Sequence, residues 1–163
     1  MNREIRTGAY RDLGAAAALE SMCFPPAEAA SPSALAERLK VFPDCFWMLW
    51  EGGQLLSFAD GLCTNLPDLT DEMYANPSMH RPDGQWLMIL GLSTRPDCRR
   101  QGLASCVLLR AMADARQRGQ HGLVLTCKET LIPFYSHLGF VAEGLSASDH
   151  GGAAWYQMRL IFR

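Results

Sequence analysis

Short apolar runs and helix-forming stretches succeed one another along the chain, with glycine, proline and small polar residues at the joints. Glu4–Thr7 reads as a short strand. Ala15–Met22 is strong helix-forming sequence that must stop before Pro25-Pro26. Ser31-Pro32 offers an N-cap followed by proline at the first helical position, and a helix runs on through Leu35, Leu39 and Lys40 to close near Pro43. Phe46–Trp50 has the aromatic content of a strand, and Glu51–Gln54 turns it into a second arm, Leu55–Cys63, as a hairpin. Trp86–Thr94 is the most continuous apolar segment, too short for a buried helix and right for a central strand. The charged loop Arg95–Gln101 leads into a helix over Gly102–Arg118, with Val107, Leu108, Ala111 and Ala115 on one face and Gly119 closing it. Gly122–Cys127 is another strand, Leu131–Leu138 a short helix ended by Gly139, Phe140-Val141 the start of a strand and Ala154–Phe162 a last one. Strands interleaved with helices predict an α/β fold. No repeat, low-complexity tract or linker divides the chain, so the expectation is one domain over residues 1–163.

One stretch breaks the pattern. Thr64–Gly84 is polar, carries three prolines and has no long period. A connection of that length inside a compact domain is either functional or decorative, and the sequence leaves both open.

Composition narrows the function. The chain has 163 residues, 48% hydrophobic and 20% charged, which are ordinary globular values. A net charge of -2 speaks against a nucleic-acid partner, which selects a basic excess or stripe. The cysteines (23, 45, 63, 98, 106 and 127) and the histidines (80, 121, 137 and 150) form no clustered ligand set, so no metal is expected. The opening M-N-R-E-I-R is unlike a secretory signal, and the expectation is a cytoplasmic protein with reduced thiols. No apolar run approaches the ~20 residues of a membrane span, so no membrane partner is expected.

The chemistry converges on strand, loop and helix: Leu92-Ser93-Thr94, then Arg95-Pro96-Asp97-Cys98, then Arg99-Arg100-Gln101-Gly102-Leu103-Ala104. A loop entering a helix presents unpaired N–H groups at the positive end of the helix dipole, which suits an anion. Gly102 and the small Ala104 let a bulky phosphate approach the backbone, with Arg95, Arg99 and Arg100 adding positive charge. Neither G-x-x-x-x-G-K-[ST] nor G-x-G-x-x-G after a strand is present. An ordinary solvated helix start is the competing reading.

These residues resemble a known family. R-R-Q-G-L-A fits the [QR]-x-x-G-x-[GA] acyl-CoA loop of the GNAT N-acetyltransferases, and L-I-P-F-Y-S-H-L-G-F (131–140) looks like that family's F-Y-x-x-x-G-F block. Within the family the chain is most similar to the arylalkylamine (serotonin) N-acetyltransferases, through H-R-P-D-G (80–84), T-C-K-E (126–129) and L-I-P-F-Y. The resemblance implies a single GNAT domain, with a mixed, splayed central sheet flanked by helices, and acetyl-CoA as cosubstrate. It implies that the backbone of Leu92, Ser93 and Thr94 pairs with the pantetheine arm, that Arg99, Arg100, Gln101, Gly102, Leu103 and Ala104 hold the pyrophosphate, and that Phe134 also lies at the cofactor. Tyr135 would donate a hydrogen bond to the departing thiolate, its alternative being an amphipathic core tyrosine. Phe24 and Pro32 match apolar pocket positions for the acceptor, with the Pro25–Ser31 loop between them. That loop can equally be a plain surface loop.

One departure is large. The arylalkylamine enzymes carry two histidines on the central strand, thought to relay the amine's proton, and here those positions are Met88 and Leu90. An ammonium has no lone pair, and deprotonating an amine of pKa ~10.4 at pH 7 costs roughly 4.6 kcal/mol. His80 and His150 are the candidate substitutes, each otherwise a surface histidine. The reading is therefore a transferase moving an acetyl group from acetyl-CoA to a small arylalkylamine-like or polyamine substrate, by direct attack because no cysteine has an obvious base partner. The alternatives are an acetyltransferase for protein N-termini or lysines, and a CoA-binding regulatory module without catalysis.

Overall fold

A computed structural model of the chain describes residues 2–163. Seven strands are hydrogen-bonded in the order β1-β2-β3-β4-β5-β7-β6: β1 (Arg3–Thr7), β2 (Phe46–Glu51), β3 (Gln54–Thr64), β4 (Trp86–Thr94), β5 (Gly122–Cys127), β6 (Val141–Leu145) and β7 (Tyr156–Ile161). The sheet is mixed: β4 and β5 are parallel, whereas the β1–β2, β2–β3, β5–β7 and β6–β7 pairs are antiparallel. The helices are α1 (Leu13–Cys23), α2 (Pro32–Val41), α3 (Asp71–Ala75), α4 (Leu103–Gln117) and α5 (Ile132–His137). None of the described helices is long and apolar enough to cross a membrane.

The backbone forms two compact units, residues 1–61 with 91–111 and residues 62–90 with 112–163. In the first unit, α1 buries Ala16, Leu19 and Glu20, one stripe at helical spacing. The Ser31 hydroxyl caps α2 by accepting the Ala34 N–H at 3.1 Å, with Pro32 at the first helical position. From α2, Leu35, Ala36, Arg38 and Leu39 are buried. Within this unit β3 is buried at every position from Leu55 to Gly61, as a strand covered on both faces must be.

In the second unit, β5 is nearly all apolar and pairs along its whole length with β7, from Gly122↔Ile161 to Cys127↔Tyr156. Its parallel ladder with β4 covers only Trp86↔Gly122, Leu87↔Leu123 and Met88↔Val124, although both strands run on. Gly122 is dictated by this crowding, because an added Cβ would run into the Leu160 carbonyl oxygen and backbone. Gly122→Ala is expected to cost about 1–3 kcal/mol through overpacking, a fall in melting temperature of about 2–4 °C per kcal/mol. A thermal melt equal to the parent's would contradict this.

The expected elements appear close to their sequence positions, with one difference. The Thr64–Gly84 connection contains α3 and a 3-10 turn over Pro77–Met79, anchored by buried Leu69 and Met73. Five residues make barely more than one turn, too few to leave a visible period in the sequence.

Candidate active site

In the first unit, β4 ends at Thr94, a 3-10 turn covers Pro96–Cys98, and α4 starts at Leu103. Arg100 and Gly102 both take left-handed backbone, at φ 64° and 77°. Such alternation turns successive N–H groups toward one concavity, a backbone arrangement that cradles anions. The first intrahelical bond runs from the Cys106 N–H to the Gly102 carbonyl at 3.0 Å, so helix geometry leaves Leu103, Ala104 and Ser105 without intrahelical acceptors. No atom lies within 4 Å of where a Cβ on Gly102 would stand, so the surface there is open. Arg99, Arg100 and Gln101 are exposed, and Leu103 is buried as the helix's first anchor. The Gln101 side chain accepts from the Arg3 guanidinium at 3.2 Å. Arg95 departs from expectation. Its guanidinium forms a double hydrogen bond with Asp97, at 3.0 and 3.1 Å, so its charge is matched within the loop.

Behind this segment lies a buried ionic cluster. Arg38 of α2 donates to Asp60 Oδ2 at 2.9 Å, with both side chains almost completely buried. The other oxygen, Asp60 Oδ1, is buried without a hydrogen-bond partner. Glu20 of α1 accepts from the Ser93 hydroxyl on β4 at 3.3 Å and, through its second oxygen, from the Ala30 N–H at 2.9 Å. Burial, then the Asp60 charge, push the Glu20 carboxyl up to about 7, against the opposing pull of the Ala30 N–H, Arg38 and Ser93. Burial also raises Asp60, with Arg38 opposing it. Gly91 of β4 faces both carboxylates: a Cβ there would stand 3.0 Å from Asp60 Oδ1 and 3.8 Å from Glu20 Oε1. Alongside, Ser57 donates to the Ser93 carbonyl at 2.8 Å and hydrogen-bonds the Thr94 hydroxyl at 2.9 Å.

In the second unit, Tyr135 sits on α5, buried, with its ring edge-on to Phe134 (5.0 Å between centroids) and Phe140 (5.7 Å). Burial raises its phenol above the usual range, with Cys127 and Tyr74 adding to the shift. The hydroxyl therefore stays protonated, a donor, at any working pH. Tyr74 of α3 hydrogen-bonds Thr126 at 3.1 Å and stacks on His150 at 5.2 Å.

The sequence model described as the Acetyltransferase (GNAT) family matches residues 13–140, across both units. The chain belongs to that family. It is similar to the serotonin N-acetyltransferase of Mesocricetus auratus, 29% identical over 126 residues, which are 77% of this chain and 59% of that protein. The chain thus spans well under two thirds of that relative's length. Among solved structures its fold is similar to the GphF GNAT-like decarboxylase in complex with isobutyryl-CoA, at TM-score 0.86 and 22% identity over 98% of this chain and 100% of that one. It is also similar to the loading GNATL domain of CurA from Lyngbya majuscula, at TM-score 0.85 and 15% identity over 99% and 98% of the two chains. At these identities the structures speak for the GNAT fold alone.

On this GNAT chain, Leu92–Thr94, Arg99–Ala104, Phe24 and Pro32 fall in the first unit, Phe134 and Tyr135 in the second. Phe24 is half-buried at the end of α1, and Pro32 is exposed at the start of α2. The intervening loop is tied down by the Ala30–Glu20 bond. Of the two candidate histidines, His80 accepts the Cys63 N–H through Nδ1 at 3.0 Å, and the His150 ring lies against Tyr74 and Trp155. Both are thus engaged in structure. The sequence reading missed Glu20, Asp60 and Arg38. A signal was available: each is an ionisable residue at a core position, Glu20 beside Ala16 and Leu19, Arg38 between Leu35 and Leu39, and Asp60 inside an apolar run.

Proposed function

We propose that this chain is an N-acetyltransferase that uses acetyl-CoA and transfers to a small primary amine of the arylalkylamine or polyamine kind. The observation that carries the reading is the turn from β4 into α4, with left-handed Arg100 and Gly102 and open space over Gly102. That concavity of N–H groups fits a pyrophosphate. The backbone of Leu92, Ser93 and Thr94 would bind the pantetheine amides as an added strand, a role supported by the β4–β5 ladder ending at Met88. Phe24 and Pro32 would line the acceptor side, and the similarity to a serotonin N-acetyltransferase supports a small amine there.

Tyr135 would donate a hydrogen bond to the sulfur as the thiolate departs. Its phenol is raised by burial, while a Cys-like thiol has a pKa near ~8.5. Complete proton transfer is therefore uphill, and stabilisation of the thiolate by the O–H dipole is the working contribution. Tyr135→Phe should keep acetyl-CoA affinity and lower kcat by about 10- to 150-fold, from loss of roughly 1.4–3 kcal/mol in the transition state. An unchanged kcat with chemistry rate-limiting would remove Tyr135 from the mechanism.

The function itself is tested by incubating the protein with acetyl-CoA and arylalkylamines, polyamines, aminoglycosides and peptides. Released thiol is followed, and products are identified by mass spectrometry. Acetylated small amines are expected. Acetylation of peptides alone would make it a protein acetyltransferase, and acetyl-CoA binding without turnover a regulatory module.

A further inference from the structure

Cys63 and His80 stand 17 positions apart in sequence, too far to read as a ligand pair, yet the fold brings them together. Cys63 lies at the end of β3 and His80 just after the 3-10 turn Pro77–Met79, so they flank most of the Thr64–Gly84 connection. The Cys63 sulfur and a ring nitrogen of His80 lie within 4.8 Å of each other. The Cys63 N–H donates to His80 Nδ1 at 3.0 Å, which holds the ring beside the sulfur. Gln120 donates through Nε2 to the same sulfur at 3.2 Å and to the Gly84 carbonyl at 2.9 Å. The Arg118 guanidinium donates toward that sulfur at 3.9 Å. A sulfur that accepts two N–H groups, one of them cationic, is favoured as the thiolate, the form that binds metals.

The Gln120 amide supplies an independent observation. The residue is only 7% exposed, and its Oε1 is buried with no hydrogen-bond partner among the described residues. A buried acceptor without a donor, on an amide already seated against Cys63, is what an ion would satisfy. We propose that Cys63 and His80 hold a zinc-class cation, with Gln120 Oε1 and solvent filling its other positions. Zinc takes sulfur at about 2.3 Å and imidazole nitrogen at about 2.0 Å, so ligand atoms within 4.8 Å reach one ion with small side-chain shifts. His80 is only half-buried, which gives the ion a way in from solvent. A neutral imidazole has one lone pair to offer, so ligation takes it over from the Cys63 N–H and the other ring nitrogen keeps its proton. The thiol proton leaves to solvent as the sulfur–metal bond forms.

An ion at this position clips the connection that carries α3 to the end of β3. Closing a loop removes freedom chiefly from the unfolded chain, and an ion that binds only the folded form stabilises it by mass action. The long connection thereby has a built-in fastening, whichever reaction the protein catalyses. Sequence spacing predicted no metal, because these ligands share no short motif and meet only through the fold.

The test titrates zinc into the metal-free full chain against a chromophoric chelator, with native mass spectrometry for stoichiometry and a thermal melt. Cobalt replaces zinc for spectroscopy. The parent should bind one zinc per chain and melt about 5–10 °C higher at a hundredfold excess over Kd. Its cobalt form should show a sulfur-to-cobalt charge-transfer band. Cys63→Ala should lose the band and at least about 100-fold in affinity. His80→Gln should lose a similar factor while staying folded, since the new side-chain oxygen can still accept the Cys63 N–H. That variant decides alone if Cys63→Ala does not fold. Cys106→Ser, at an exposed thiol, should bind as the parent does. Binding that survives in His80→Gln, or disappears in Cys106→Ser, places the ion elsewhere and overturns the proposal. So does a parent that binds no stoichiometric zinc.

Discussion

Gly102→Asp is expected to lower acetyl-CoA affinity by about 100-fold or more while the protein remains folded. Two physical effects act, one on the fold and one on the ligand. Gly102 stands at φ 77°, where a side chain costs about 1–2 kcal/mol. Its added Cβ meets no atom within 4 Å, so nothing in the protein resists the substitution sterically and the fold should survive. The new carboxylate, however, projects where the pyrophosphate is proposed to lie, at the positive end of α4. A negative charge there cancels the helix-end field and repels the ligand. A 100-fold loss corresponds to about 2.8 kcal/mol. Gly102→Asn separates the contributions, because asparagine has nearly the same shape, tolerates left-handed backbone and carries no charge. The Asn variant should lose about tenfold and the Asp variant clearly more. Calorimetry measures both, with a thermal melt to verify folding. Unchanged acetyl-CoA affinity in a folded Gly102→Asp variant means the ligand binds elsewhere.

What the sequence made legible follows from where the physics is local. The Ser31 cap, the hairpin at Gly52-Gly53 and the loop-to-helix turn at Arg100–Gly102 each lie within a few consecutive residues, and each appears where expected. The period of α4 was readable because fifteen residues give several turns, whereas α3 has five. The ionic cluster was harder, because Glu20, Arg38 and Asp60 come from three elements up to forty positions apart in sequence. Periodicity marks a buried face, but it does not say which buried charges meet. The matching of Arg95 by Asp97 also escaped a reading that counted the loop's arginines and left Asp97 out, although a pair two residues apart contributes nothing net.

Arg38→Met is expected to destabilise the fold by about 3–5 kcal/mol at pH 8, and by clearly less at pH 5. Arg38 and Asp60 are both buried, and their 2.9 Å contact is what offsets the cost of taking the Asp60 charge out of water. Methionine fills similar space but leaves Asp60 beside Glu20 with no opposing charge. Arg38 holds both carboxyls down against burial, so its loss raises both further. For a group whose folded pKa exceeds its unfolded value, the contribution to stability is fully present below the unfolded value. It is lost as pH rises through the folded one. For Glu20 in the parent that window runs from its ordinary 4.5 to about 7, and in the variant it extends upward and deepens. Urea unfolding at pH 5 and pH 8 measures the difference directly. Adding Asp60→Leu should restore much of the lost stability at pH 8, because an apolar pair at a buried position can equal or exceed an ionic one. A destabilisation that is equal at both pH values, or no recovery in the double variant, would show that Arg38 stabilises through packing rather than charge.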